Sequence, residues 1–85
     1  MKYKIQSFLD RIGLSHQEAV LYVTALEMGA SSVAQLAKRA GIHRVEAYAL
    51  TAKLLQRGLA RQTLSKGRKL FEAQHPRQLE QLIAG

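Results

Sequence analysis

The side chains best suited to catalysis or metal binding are His16, His43 and His75, and they are too scattered for either task. Cysteine is absent, which removes thiolate ligands, cysteine nucleophiles and disulfides together. No HExxH, GxSxG or phosphate-loop pattern occurs, and Ser15 beside His16 reads as a helix cap, not as a nucleophile with its base. Each histidine reads as a loop or cap residue. No catalytic residue, metal site or cofactor is therefore expected. Tyr22 and Tyr48 are spaced for the core, and so few aromatics make no stacking platform for single strands.

The remaining chemistry is cationic. Thirteen Lys and Arg face six Asp and Glu, a formal net charge of +7 with a pI near 10.3. That balance favours a polyanionic partner. The charges are spread over several elements and do not line one helix, which favours nucleic acid over a membrane surface; the blander alternative is a basic, solvated exterior. No apolar run approaches the roughly 20 residues that span a bilayer, and no signal-peptide core follows Lys2 and Lys4, so a soluble, cytoplasmic chain is expected.

The elements that must position these charges are organised around Ser32 to Gly58, a helix-turn-helix. Ser32 followed by Gln35 is a capping box. Val33, Leu36, Ala37 and Ala40 recur at i, i+3, i+4 and i+7, and Gly41 closes the short helix. A second helical pattern runs from Arg44 to Arg57, and Gly58 ends it. So short a turn between them suits a helix-turn-helix.

Around this pair the chain reads as one domain over residues 1 to 85, without repeats or linkers. Ile5, Phe8, Leu9 and Ile12 give an amphipathic first helix over 3 to 12, facing either the core or a second subunit. Ser15 to Glu18 is another capping box and opens a helix over 15 to 28. Its stripe of Ala19, Tyr22, Val23 and Leu26 is widened by Val20, Leu21 and Ala25, as in a central core helix. Ala30 to Ser32 reads as a short extended connection. Leu59 to Leu64 and Lys69 to Ala73, separated by Ser65-Lys66-Gly67-Arg68, read as a β-hairpin within a wing over 59 to 74. His75-Pro76 then starts a last helix over 76 to 84. The expected fold is mainly α with a small antiparallel β-hairpin, a winged helix-turn-helix. So small a core, burying roughly 60% of the unfolded surface, would gain from a dimer partner.

The stretches IGLSHQEAVLYVTALEMG at 12 to 29, SVAQLAKRAGIHRVEAY at 32 to 48, LLQRGLARQ at 54 to 62 and LFEAQHP at 70 to 76 resemble the N-terminal winged-helix domain of the TrmB family of transcriptional regulators. Glu18, Ala19 and Tyr22, Ala37 and Gly41, Arg44 and Tyr48, and Gly58-Leu59 carry the likeness. The MarR and ArsR families share much of this skeleton. The resemblance implies sequence-specific binding of double-stranded DNA, usually as a homodimer, to control transcription. Many such regulators carry a further C-terminal sugar-binding domain. The residues after the wing are too few for one, so the chain reads as either a free-standing DNA-binding protein or a fragment of a longer one.

In that arrangement the second helix enters the major groove, and amides and cations hold phosphates. The expected recognition residues are His43, Arg44, Val45, Glu46, Ala49 and Lys53. Turning the helix with Ala47, Thr51, Leu54 and Leu55 inward and Tyr48 beside them leaves Val45, Glu46, Ala49, Leu50, Lys53, Gln56 and Arg57 outward. Three readings of this apolar and acidic face stay open: thymine methyls and a cytosine amino group as targets, affinity mostly from phosphates, or a protein-contact patch. Arg44 is the best direct contact, against a helix-surface arginine paired to Glu46 or Glu18. Lys53 and Arg57 suit phosphate or solvation equally. The backbone set is Ser31, Ser32, Gln35, Lys38 and Arg39, although capping explains Ser32 and Gln35, and the helix C-terminus suits Lys38 and Arg39. The wing set is Arg61, Lys66, Arg68 and Lys69, for phosphate or the minor groove. The competing function is a protein-interaction or dimerisation winged helix with weak nonspecific DNA affinity.

Overall fold

A computed structural model describes Arg11 and residues 13–75. Apart from Arg11, which is helical, the expected first helix over 3 to 12 lies outside the described residues, as does the expected last helix over 76 to 84. Between them run α1 (His16–Met28), α2 (Val33–Ala40), α3 (Arg44–Gln56), β1 (Ala60–Ser65) and β2 (Arg68–Ala73). This is the expected helical unit followed by an antiparallel hairpin.

Local chemistry sets the helix ends. The Ser15 hydroxyl accepts from the Glu18 amide at 3.2 Å, and the Glu18 carboxylate accepts from the Ser15 amide at 3.1 Å. Ser32 and Gln35 repeat the exchange at 3.1 and 3.0 Å, so each box satisfies two amides that the helix leaves without partners. Gly41 closes α2 at φ 72°, a left-handed conformation that a side chain would disfavour.

Helix α1 is the central element. It packs against α2, α3 and β2, and Ala19, Leu21, Tyr22 and Ala25 are buried along it. Leu36 of α2, Leu54 of α3 and Phe71 of β2 fill the same core. The Tyr22 hydroxyl crosses this core to donate to the Gln74 carbonyl at 2.7 Å, and burial pushes its pKa up to about 12.

The hairpin pairs Ala60 with Ala73 through Ser65 with Arg68. The turn is therefore only Lys66-Gly67, tighter than the four-residue separation expected. Both residues have positive φ, 52° and 77°, the pattern of a type I′ turn whose twist matches the strands. The connection before α2 also joins the sheet: Ser31 and Phe71 exchange backbone hydrogen bonds at 2.9 and 2.7 Å, tying the helix-turn-helix to the wing.

Candidate nucleic-acid interface

Helix α3 is capped by His43, whose Nδ1 accepts weakly from the Val45 amide at 3.4 Å. His43 is thus the cap residue expected. Arg44, Val45, Glu46, Ala49 and Lys53 are all exposed.

The inward face differs from the expected one at two positions. Leu50, expected outward, is buried in the core, while Tyr48, expected inward, is 55% exposed. The buried set is Ala47, Leu50, Thr51 and Leu54, spaced i, i+3, i+4 and i+7. Apolar residues surround this helix, and packing against α1 and β1 selects which of them turn in. The apolar outer patch accordingly loses Leu50 and keeps Val45 and Ala49, with Tyr48 added.

Among the expected backbone contacts, Ser32, Gln35, Lys38 and Arg39 reach the surface around α2. Ser31 does not. It is buried, its hydroxyl donates to the Gly29 carbonyl at 2.9 Å, and both its backbone groups pair with Phe71. It holds the sheet together and offers no side chain to a phosphate.

The cations divide by partner. Arg57 turns back from the end of α3 toward Glu18, at 3.7 Å, and the Gly13 carbonyl, at 3.5 Å. Glu18 is thus paired with Arg57, and Arg44 is not its partner. Arg61 is matched across the strands by Glu72, with nitrogen to oxygen distances of 3.1 and 3.0 Å. Lys66, Arg68 and Lys69 stand exposed at the tip of the wing.

Strand pairing assigns these residues to faces. Arg61–Glu72, Thr63–Leu70 and Ser65–Arg68 share one face, and Gln62–Phe71 and Leu64–Lys69 share the other. The second face, the start of α2 and α3 enclose an open groove of about 360 Å³. Ser32, Tyr48, Gln62 and Lys69 line it. Tyr48 and Gln62 were not expected at any site. The resemblance had pointed to Tyr48 as a position of the second helix, without indicating its exposure.

Among the described residues no His, Asp or Glu group is arranged to hold a metal ion, and no helix is long and apolar enough to cross a membrane.

Comparison with known proteins agrees with this architecture. The sequence model of the family described as the sugar-specific transcriptional regulator TrmB matches residues 9–77. No curated protein matches the chain. Among solved structures, a MarR family protein from Bacillus stearothermophilus superposes with a TM-score of 0.74 at 16% identity, covering 98% of this chain and 61% of its own. TrmBL2, an archaeal chromatin protein whose structure shows a novel mode of DNA binding, gives 0.75 at 24% identity, with coverage of 98% and 32%. A MarR family transcriptional regulator from Rhodococcus sp. RHA1 gives 0.69 at 25% identity, with coverage of 93% and 56%. The chain thus spans between about one third and three fifths of the length of these neighbours.

Proposed function

Because the chain belongs to the TrmB family of transcriptional regulators, we propose that it binds double-stranded DNA as a homodimer in the cytoplasm and regulates transcription by binding, without catalysis. Helix α3 enters the major groove and the wing lies on the backbone or in the minor groove. The observation that carries this reading is the shared exposure of Arg44, Glu46, Ala49 and Lys53 on α3 beside a wing tip bearing Lys66, Arg68 and Lys69. Such a surface combines base-edge donors and acceptors with phosphate-binding cations.

Arg44 sits in the first turn of α3, the part of a recognition helix that reaches base edges. Glu46 can accept from a cytosine amino group, and Val45 and Ala49 suit thymine methyls. Ser32, Gln35, Lys38 and Arg39 flank the phosphates from α2.

Selection from a random duplex library, at two salt concentrations, tests the proposal. Enrichment of one palindromic motif, preferred over random duplex by on the order of 10³, is the expected result. Recovery of no motif overturns the specific-regulator reading. Sedimentation of the free protein as a monomer at every concentration removes the homodimer.

A further inference from the structure

Among the described residues three large apolar side chains stand exposed, Val45, Tyr48 and Leu64, and Tyr48 lines the groove between α3 and the wing. Tyr48 lines one wall. Val45 precedes it by three residues, hence on the same side of α3. Leu64 pairs across the hairpin with Lys69, which lines the opposite wall.

The lining has two chemistries. Val33, Tyr48, Ala52 and Leu55 present apolar surface, while Gln62 and Lys69 present hydrogen-bonding and cationic groups. None of the lining residues is acidic. A free inorganic anion would satisfy Lys69 and leave the apolar wall in water. A wholly apolar segment would desolvate the ammonium without a counter-charge. A nucleic-acid strand alternates the two features, with apolar sugar faces between charged phosphates.

Resting on the DNA-binding reading, we propose that this groove holds the sugar-phosphate backbone of one strand of the duplex. The ring of Tyr48 packs on a deoxyribose, and Lys69 meets the adjoining phosphate. The Tyr48 hydroxyl, which makes no hydrogen bond to a described residue, donates to a phosphate oxygen. Charge complementarity supports this occupant, because the groove is lined by Lys69 and by no acidic residue, and Lys66 and Arg68 add positive charge at the nearby tip of the hairpin. Tyr48 thus supplies an uncharged contact and Lys69 a charged one.

These contacts have different salt signatures. The test is fluorescence anisotropy of the 85-residue chain with a labelled random-sequence duplex pool, over a series of salt concentrations. Tyr48→Ala is expected to weaken binding roughly tenfold at every salt concentration and leave the slope unchanged, since no ion is released at that contact. Tyr48→Phe should lose roughly threefold. Lys69→Gln should lower the slope by about one unit. Circular dichroism melts confirm that each variant folds. A duplex carrying uncharged methylphosphonate linkages should weaken wild-type binding but affect Lys69→Gln less.

If the wild type binds duplex with a salt-dependent affinity while Tyr48→Ala and Lys69→Gln match it, the groove assignment fails and the DNA-binding reading stands. Wild-type protein that binds no duplex overturns both. Unchanged DNA binding with altered sedimentation of Tyr48→Ala assigns the groove to a second copy of the chain and also overturns the proposal.

Discussion

Arg57 Nε lies 3.7 Å from Glu18 Oε2, joining the end of the second helix of the helix-turn-helix to the start of the central helix. The pair is asymmetric, with the arginine side chain 40% exposed and the glutamate only 5%. Glu18 Oε2 is buried and has no hydrogen bond, so this ion pair is its nearest compensation. Arg57→Ala should therefore destabilise the fold by roughly 1 to 2 kcal/mol, less than a fully buried pair because the arginine is partly solvated. Glu18→Gln in the Arg57→Ala background should recover part of that loss. Urea melts of the two single variants and the double variant measure the coupling, and additive losses would show that the pair contributes nothing.

Tyr22 makes stability depend on pH in the alkaline range. Its folded pKa is raised from 10.0 to about 12 by burial, so the folded state holds its proton where the unfolded chain has released it. This contribution is fully present below pH 10 and declines as pH rises through 12. Its full loss would amount to about 3 kcal/mol. Tyr22→Phe should flatten the decline, at the cost of the hydrogen bond to Gln74, as denaturant midpoints across this range will show.

Leu50 should behave as a core residue. Leu50→Ala is expected to cost roughly 2 to 5 kcal/mol through lost burial and a cavity. Leu50→Glu should unfold the domain, because its carboxylate would have no buried partner. Retention of a native circular dichroism melt by Leu50→Glu would contradict the packing around α3.

Most of the architecture was legible because its signals are local. Ser15-Glu18, Ser32-Gln35 and Gly41 fix helix ends through neighbours a few residues away. The phase of α3 was less legible: Ala47, Tyr48, Ala49 and Leu50 are consecutive apolar positions, and only distant packing decides which turn inward. The same limit applies to the candidate site. Arg44, Lys66, Arg68 and Lys69 are exposed, as charged residues without a local partner usually are, but the pairing of Arg57 with Glu18 spans 39 residues, from 18 to 57. Burial of Ser31 follows from its bridge to Phe71, which no short sequence pattern announces.

Charge and backbone strain can be separated at the wing turn. Lys66 has φ 52°, a conformation that asparagine adopts more readily than lysine. Lys66→Asn should raise stability by a few tenths of a kcal/mol and lower the salt slope for DNA by about one unit. Arg68→Ala should lower the slope similarly without the gain in stability. Thermal melts and anisotropy on the same samples check both effects.

Arg44→Ala should differ from both wing variants by weakening the preferred site more than random duplex. A loss of roughly 1 to 3 kcal/mol at one operator position is expected if its guanidinium reads a base. Competition between selected and random duplexes at fixed salt measures it, and equal weakening of both would reassign Arg44 to phosphate.

The two hydrogen bonds between Ser31 and Phe71 also have a kinetic consequence. A hairpin can open at its tip by fraying, but these amides can reach solvent only when the helical unit and the strand part company. In hydrogen–deuterium exchange, Ser31 and Phe71 should be among the slowest amides, whereas those of Lys66 and Gly67 exchange quickly. The wing would then pivot at its tip while its root turns with the helices, so a duplex meeting one side of the domain would feel the orientation of the other.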